Sequence, residues 1–167
     1  MMPAGAPKQF TLPQRKLVFR AAQEAEELTA GYYCIPPFRW ERLRYDLLTC
    51  SDHGWEPLPE PMLARVRCLH RTSPRTPFDF YRIELNDGSI LAVAQRENLL
   101  KEESFYPFLV YILTHEMVHI VRLNSILDDW SDRTLSQESE EHRVHKISRR
   151  ILAGASGFEP VLNRFCG

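Results

Sequence analysis

The stretch Phe105-Tyr106-Pro107-Phe108-Leu109-Val110-Tyr111-Ile112-Leu113-Thr114-His115-Glu116-Met117-Val118-His119-Ile120-Val121-Arg122-Leu123 decides how this chain is read. It predicts a helix from about Ser104 to about Asn124 that is apolar almost all round, and such a helix is buried. Three polar groups, His115, Glu116 and His119, interrupt it within one arc. Histidines four apart project from one face, one turn apart. Two imidazoles so arranged can hold one metal ion, and Glu116, offset to the side, can take a proton from a water at that metal. This is the HExxH arrangement, with zinc on the histidines and the glutamate as general base. The bland alternative is a core in which the three residues hydrogen-bond to one another and to nearby carbonyls. Unpaired buried polar groups cost about 1–3 kcal/mol each, and a shared metal removes that cost.

A zinc site needs a third protein ligand, and a catalytic one leaves the fourth position for water. The stretch Ser136-Gln137-Glu138-Ser139-Glu140-Glu141-His142-Arg143-Val144-His145 is rich in candidates. Thr134 and Gln137 make a capping box that starts a helix near Leu135. Its apolar face runs through Val144, Ile147, Ile151 and Ala155. At about 100° per residue, Glu141 falls inside that face beside Ser148 and Leu152. His145 follows one turn later at the edge, Glu138 lies further out and His142 further still. Glu140 sits on the opposite margin, near Ile147. An acidic residue turned inward requires a partner, and a metal is a good one. Glu141 is therefore the first choice of third ligand, ahead of His145 and Glu138. A solvated acidic first turn, favoured by the helix dipole, explains Glu138 well and Glu141 poorly.

The segment from Ser104 to about Leu152 resembles the gluzincin-type zinc metallopeptidases. Their third ligand is a glutamate on a helix after the HExxH helix. In several such families a polar supporting residue follows that glutamate by four positions, with a small residue further on. Here those are His145, in place of the usual aspartate, and Ser148. The glycine and third histidine of the metzincin pattern are missing after His119. The resemblance implies Zn(2+) as cofactor on His115, His119 and Glu141, and hydrolysis of a peptide or protein substrate with Glu116 as catalytic base. His145 then orients a ligand or stabilises the oxyanion, and Tyr111 and Arg122, on the same ridge as the histidines, line the site. The alternatives are a non-catalytic or latent zinc-binding regulatory module with a zincin-like fold, and an interaction protein without metal.

At 167 residues the chain predicts one domain over 11–167 behind a flexible 1–10. A net charge of −1 and a sequence pI near 6.6 argue against nucleic acid as the main partner. The basic clusters Arg39 to Arg44 and Arg149-Arg150 read as solvated helix faces. The start, Met1-Met2-Pro3-Ala4-Gly5-Ala6-Pro7, has no apolar signal core. The apolar run Phe105 to Leu113 is too short to span a bilayer. The expectation is a soluble, cytoplasmic protein without a membrane partner. Cys34, Cys50, Cys68 and Cys166 form no CxxC pair and fit a reducing compartment. Cys166 is read as an ordinary tail cysteine, although a terminal thiolate is a potential zinc ligand.

Thr11, Pro13 and Gln14 open a helix that runs to about Ala30, buries Leu17, Ala21, Ala25 and Leu28, and ends at Gly31. Pro36-Pro37 opens a second helix, Phe38 to Thr49. Ser51 to Pro61 is a loop in which His53 is an accessory ligand candidate. Met62 to His70 alternates as a strand. Strands Phe78 to Leu85 and Ile90 to Ala94 flank Asn86-Asp87-Gly88-Ser89, which reads as a hairpin turn. Asp128, Asp129 and Asp132 lack EF-hand spacing and read as a polar loop around Trp130. The fold class is then α+β: N-terminal helices, a small antiparallel sheet, the HExxH helix and a C-terminal ligand helix. The arrangement resembles the zincin core, in which a sheet edge above the metal holds peptide as an added strand.

Overall fold

The computed structural model describes residues 9–52, 62–124 and 137–165. Among them the architecture is α+β, with six helices and one three-stranded sheet. The expected roles of His53, Asp128, Asp129, Trp130, Asp132 and Cys166, and the Thr134 cap, fall outside the described residues.

The first helix, α1 (Leu12–Tyr32), starts as its sequence requires. Gln14 N donates to Thr11 Oγ1, and Thr11 N donates back to Gln14 Oε1. Both ends of that exchange satisfy backbone or side-chain groups that a helix start leaves open. Ala21, Ala22 and Ala25 are buried, and their small side chains let α1 lie close on the helix that carries His115. The helix does not stop at Ala30. Gly31 lies within its last turn, and the left-handed residue is Cys34, at φ 54°. That reversal brings Ile35 N to Ala30 O at 2.9 Å, closing the helix end. Nor is residue 10 part of a flexible tail: Phe10 is buried, and its N–H donates to Asp87 Oδ2 at 2.9 Å.

The expected second helix is cut short. Only Pro37–Trp40 is helical (α2), and Leu43–Leu48 forms strand β1. Trp40, Leu43 and Leu47 suit a helical period, but Leu43, Tyr45 and Leu47 also alternate. The strand wins because β3 (Asp79–Leu85) offers a partner on which those three side chains reach the core. On the other face Arg82 grips Asp46 through two nitrogens at 2.9–3.3 Å.

Strand β2 (Ala64–His70) lies on the other side of β3, giving the order β1-β3-β2. β2 pairs antiparallel with β3, but β1 pairs parallel with it, so the sheet is mixed and not antiparallel. The expected hairpin is also absent. Asp87–Arg96 is a helix, α3, that buries Ile90, Leu91 and Ala94 on one face. Asp87 is the reason its neighbourhood does not turn back as a hairpin. Its buried carboxylate accepts the backbone N–H groups of Phe10 and Cys50 at 2.9 and 3.0 Å, tying three distant segments together. Asn98, at φ 57°, then ends α3, with Leu99 N donating to Ala94 O.

Helix α4 (Glu102–Leu123) is the central element, with twelve buried residues among its twenty-two. Phe105, Phe108, Leu109, Ile112 and Leu113 join α1 and the sheet in one core. A polar knot anchors its C-terminal end. Asn124 Nδ2 and Tyr81 OH donate to Asp79 Oδ2, Thr72 N and Oγ1 donate to Asp79 Oδ1, and Arg71 donates to Leu123 O. Helix α5 (Gln137–Ala153) packs Val144 and Ile151 against Val118 of α4. Helix α6 (Glu159–Phe165) stacks Phe165 on Phe108 and Tyr111. No helix among the described residues is long and apolar enough to cross a membrane. Cys34, Cys50 and Cys68 are free thiols.

Candidate metal centre

His115, Glu116 and His119 lie in the C-terminal half of α4, where the helix faces α5. The rings of His115 and His119 stand 4.9 Å apart between centroids, one above the other. Glu141 reaches them from the start of α5. Its Oε2 lies 3.2 Å from His115 Nε2, and its Oε1 lies 2.8 Å from His119 Nε2. Ligand atoms of the three residues all lie within 4.8 Å of one another. Two ligands of a tetrahedral ion with bonds of about 2.0–2.1 Å sit about 3.4 Å apart. Both Glu141 separations are shorter than that and are hydrogen-bonding distances. Two imidazole nitrogens and one carboxylate are also a donor set that zinc accepts, with one position left over.

The electrostatics separate the four groups. Burial pushes Glu116 up to about 7; the charge of His115 opposes the rise and that of Glu141 adds to it. Burial, then the neighbouring charge of His115, holds His119 below its ordinary value. Burial also acts to lower His115, but the Glu141 hydrogen bond and the charges of Glu116 and Glu141 outweigh it and leave it raised. The hydrogen bond from His115, with the charges of both histidines, pulls Glu141 down to about 2. So a carboxylate with a depressed pKa faces two imidazoles, with a carboxyl of raised pKa beside them.

The inward position expected for Glu141 is only partly met. Its side chain is 56% exposed, against 19% for His115 and 16% for His119, so it closes the site from the rim. Ser148 is buried but turns its hydroxyl back to Val144 O, at 2.7 Å. His145 is half-buried one turn beyond Glu141. Burial and then the charge of His115 lower its pKa, so it stands within electrostatic reach of the cluster without belonging to it. Glu138 and His142 are exposed and outside the cluster. Tyr111 is stacked on Phe165, with ring centroids 5.6 Å apart.

One pairing was invisible in the sequence. Arg122 Nε and Nη2 donate to the two carboxylate oxygens of Glu140 at 2.5 and 2.9 Å. The only hint is that opposite charges flank the two halves of the site, Arg122 three residues after His119 and Glu140 just before Glu141. A comparison of the chain with family models, with curated proteins and with solved structures finds no match, so the case for its chemistry rests on this cluster.

Proposed function

We propose that this protein is a zinc-dependent metallohydrolase, with peptides as its substrate class, on a zincin-like fold. The observation that carries the reading is the convergence of His115 Nε2, His119 Nε2 and the Glu141 carboxylate beside a buried carboxyl, Glu116. In this reading His115, His119 and Glu141 hold the ion. Bound zinc supplies Lewis-acid chemistry, making water more acidic and a carbonyl more electrophilic.

The chain's own groups do the rest. Glu116, adjacent in sequence to one ligand and buried against the cluster, takes a proton from the attacking water onto its carboxylate. As the carbon–nitrogen bond of the amide breaks, Glu116 returns that proton to the leaving nitrogen. One carboxyl can serve both transfers, as base in the first and acid in the second. His145, one turn beyond Glu141, donates a hydrogen bond to the carbonyl oxygen as negative charge builds there. β2 is an edge strand of the sheet, and an extended peptide can pair with such an edge through its backbone.

The test is hydrolysis of a peptide library by zinc-loaded protein, with and without chelator. Cleavage that chelation abolishes and zinc restores is the expected result. Zinc retained with no turnover across the library assigns the site instead to a latent or structural module.

A further inference from the structure

We infer that the Arg122–Glu140 ion pair is a latch that presets Glu141 for the metal, and so governs zinc affinity without touching the ion. The inference rests on the metal reading above and adds two positioning residues to it. It starts from an asymmetry in the site. His115 and His119 are fixed by the buried helix that carries them, but Glu141 is more than half exposed and packing does not hold it.

What must be fixed is the rotation of α5 about its own axis. Successive helical residues differ by about 100°, so a modest roll carries Glu141 away from both nitrogens. The apolar seam of Val144 and Ile151 on Val118 sets the distance between the helices. Ile147 and Leu28 join that seam and Leu152 enters the main core, so apolar packing seats α5, but aliphatic contacts have no direction of their own and fix its roll less sharply than a polar pair. The Arg122–Glu140 pair has direction. A planar guanidinium meeting both carboxylate oxygens fixes orientation as well as distance. The Arg122 side chain is only 9% exposed, so solvent and salt screen the contact little.

The connections close a short ring. His119 and Arg122 are three residues apart on α4, and Glu140 and Glu141 are neighbours on α5. Arg122 joins Glu140 across the gap, and Glu141 then meets His119 at 2.8 Å on the other side. Holding one side of this ring holds the other.

The test measures zinc affinity by chelator competition, together with thermal stability of the metal-free protein. The variants are Glu140→Gln, which keeps the shape but removes the charge, and Arg122→Lys, which keeps the charge but removes the fork. Asp46→Asn serves as control, since it breaks a similar two-nitrogen pair with Arg82 on the sheet. The latch predicts that Glu140→Gln weakens zinc binding about tenfold or more, as expected for groups supporting a ligand. Arg122→Lys should lose less, and Asp46→Asn should bind within about twofold of wild type whatever its stability. Zinc binding by Glu140→Gln within about twofold of wild type overturns the latch and leaves the metal reading intact. An equal loss in Asp46→Asn also overturns it, since the effect is then general destabilisation. If Glu140→Gln does not fold, Arg122→Met, which removes the other partner of the pair, is judged by the same criterion. Wild-type protein that takes up no zinc overturns the metal reading and the latch with it.

Discussion

At Glu116 burial lifts a carboxyl to about 7, against the charge of His115 and with a smaller push from that of Glu141. Nothing about helix stability calls for an acid at this place, since an alanine or leucine buries with less cost. In the proposed reading its use is chemical. Glu116→Gln nearly keeps shape and hydrogen-bonding but cannot take a proton. It should retain zinc and fold while hydrolysis falls by about 10²–10⁴-fold, the contribution of general-base catalysis. Peptide turnover measured with zinc content in parallel checks this, and equal activity of the two proteins would rule the mechanism out. At this scale much was legible in advance. His115, Glu116 and His119 share a helix, so their spacing fixes their relative position without any knowledge of the fold. Glu141 followed from the phase of an amphipathic helix, although the phase overstated its burial. The Arg122–Glu140 contact depends on how two helices are turned towards each other, which no local pattern records.

The elements that hold the site were read unevenly, for physical reasons. α1, α4 and α5 are long and periodic, and α1 carries its capping box in the sequence. β1 failed because Trp40, Leu43 and Leu47 satisfy a helical period while Leu43, Tyr45 and Leu47 alternate. A strand 36 residues away settles the choice by pairing in parallel, Leu43 with Asp79. α3 failed because Asn86-Asp87-Gly88-Ser89 has hairpin chemistry. The buried Ile90, Leu91 and Ala94, with Asn98 as a left-handed stop, were the better signal. Between β3 and α4 the decisive group is Asp79, whose side chain is 5% exposed. Burial acts to raise its pKa, but hydrogen bonds from Thr72 and Tyr81 and the charge of Arg71 leave it lowered. A depressed carboxylate contributes stability that is present above its unfolded value of about 3.9 and is lost as pH falls through the folded one. Asp79→Ala leaves donors of Thr72, Tyr81 and Asn124 without their acceptor. It should cost about 3 kcal/mol at neutral pH and flatten the acid limb of the stability profile. Urea denaturation at pH 7 and across the acid range measures both. A loss below about 1 kcal/mol would mean that the knot does not anchor the end of α4.

Across the described residues, the helix that carries His115 and His119 is clamped on three sides. α1 covers one flank, the sheet backs another, and α5 brings Glu141 over the top. Two imidazole nitrogens and a carboxylate meet at the α4–α5 junction, the one His/Cys/Asp/Glu cluster of its kind among the described residues. A bound ion would join the two helices directly, so occupancy of that junction is what the account most depends on. The direct measurement is elemental analysis of untagged protein, purified without added metal and again after zinc loading and desalting. The account predicts about one zinc per chain in the loaded protein, in keeping with a single three-ligand site. Less than about a tenth of an equivalent, with no uptake when zinc is added, would contradict it and leave His115, His119 and Glu141 as a hydrogen-bonded cluster.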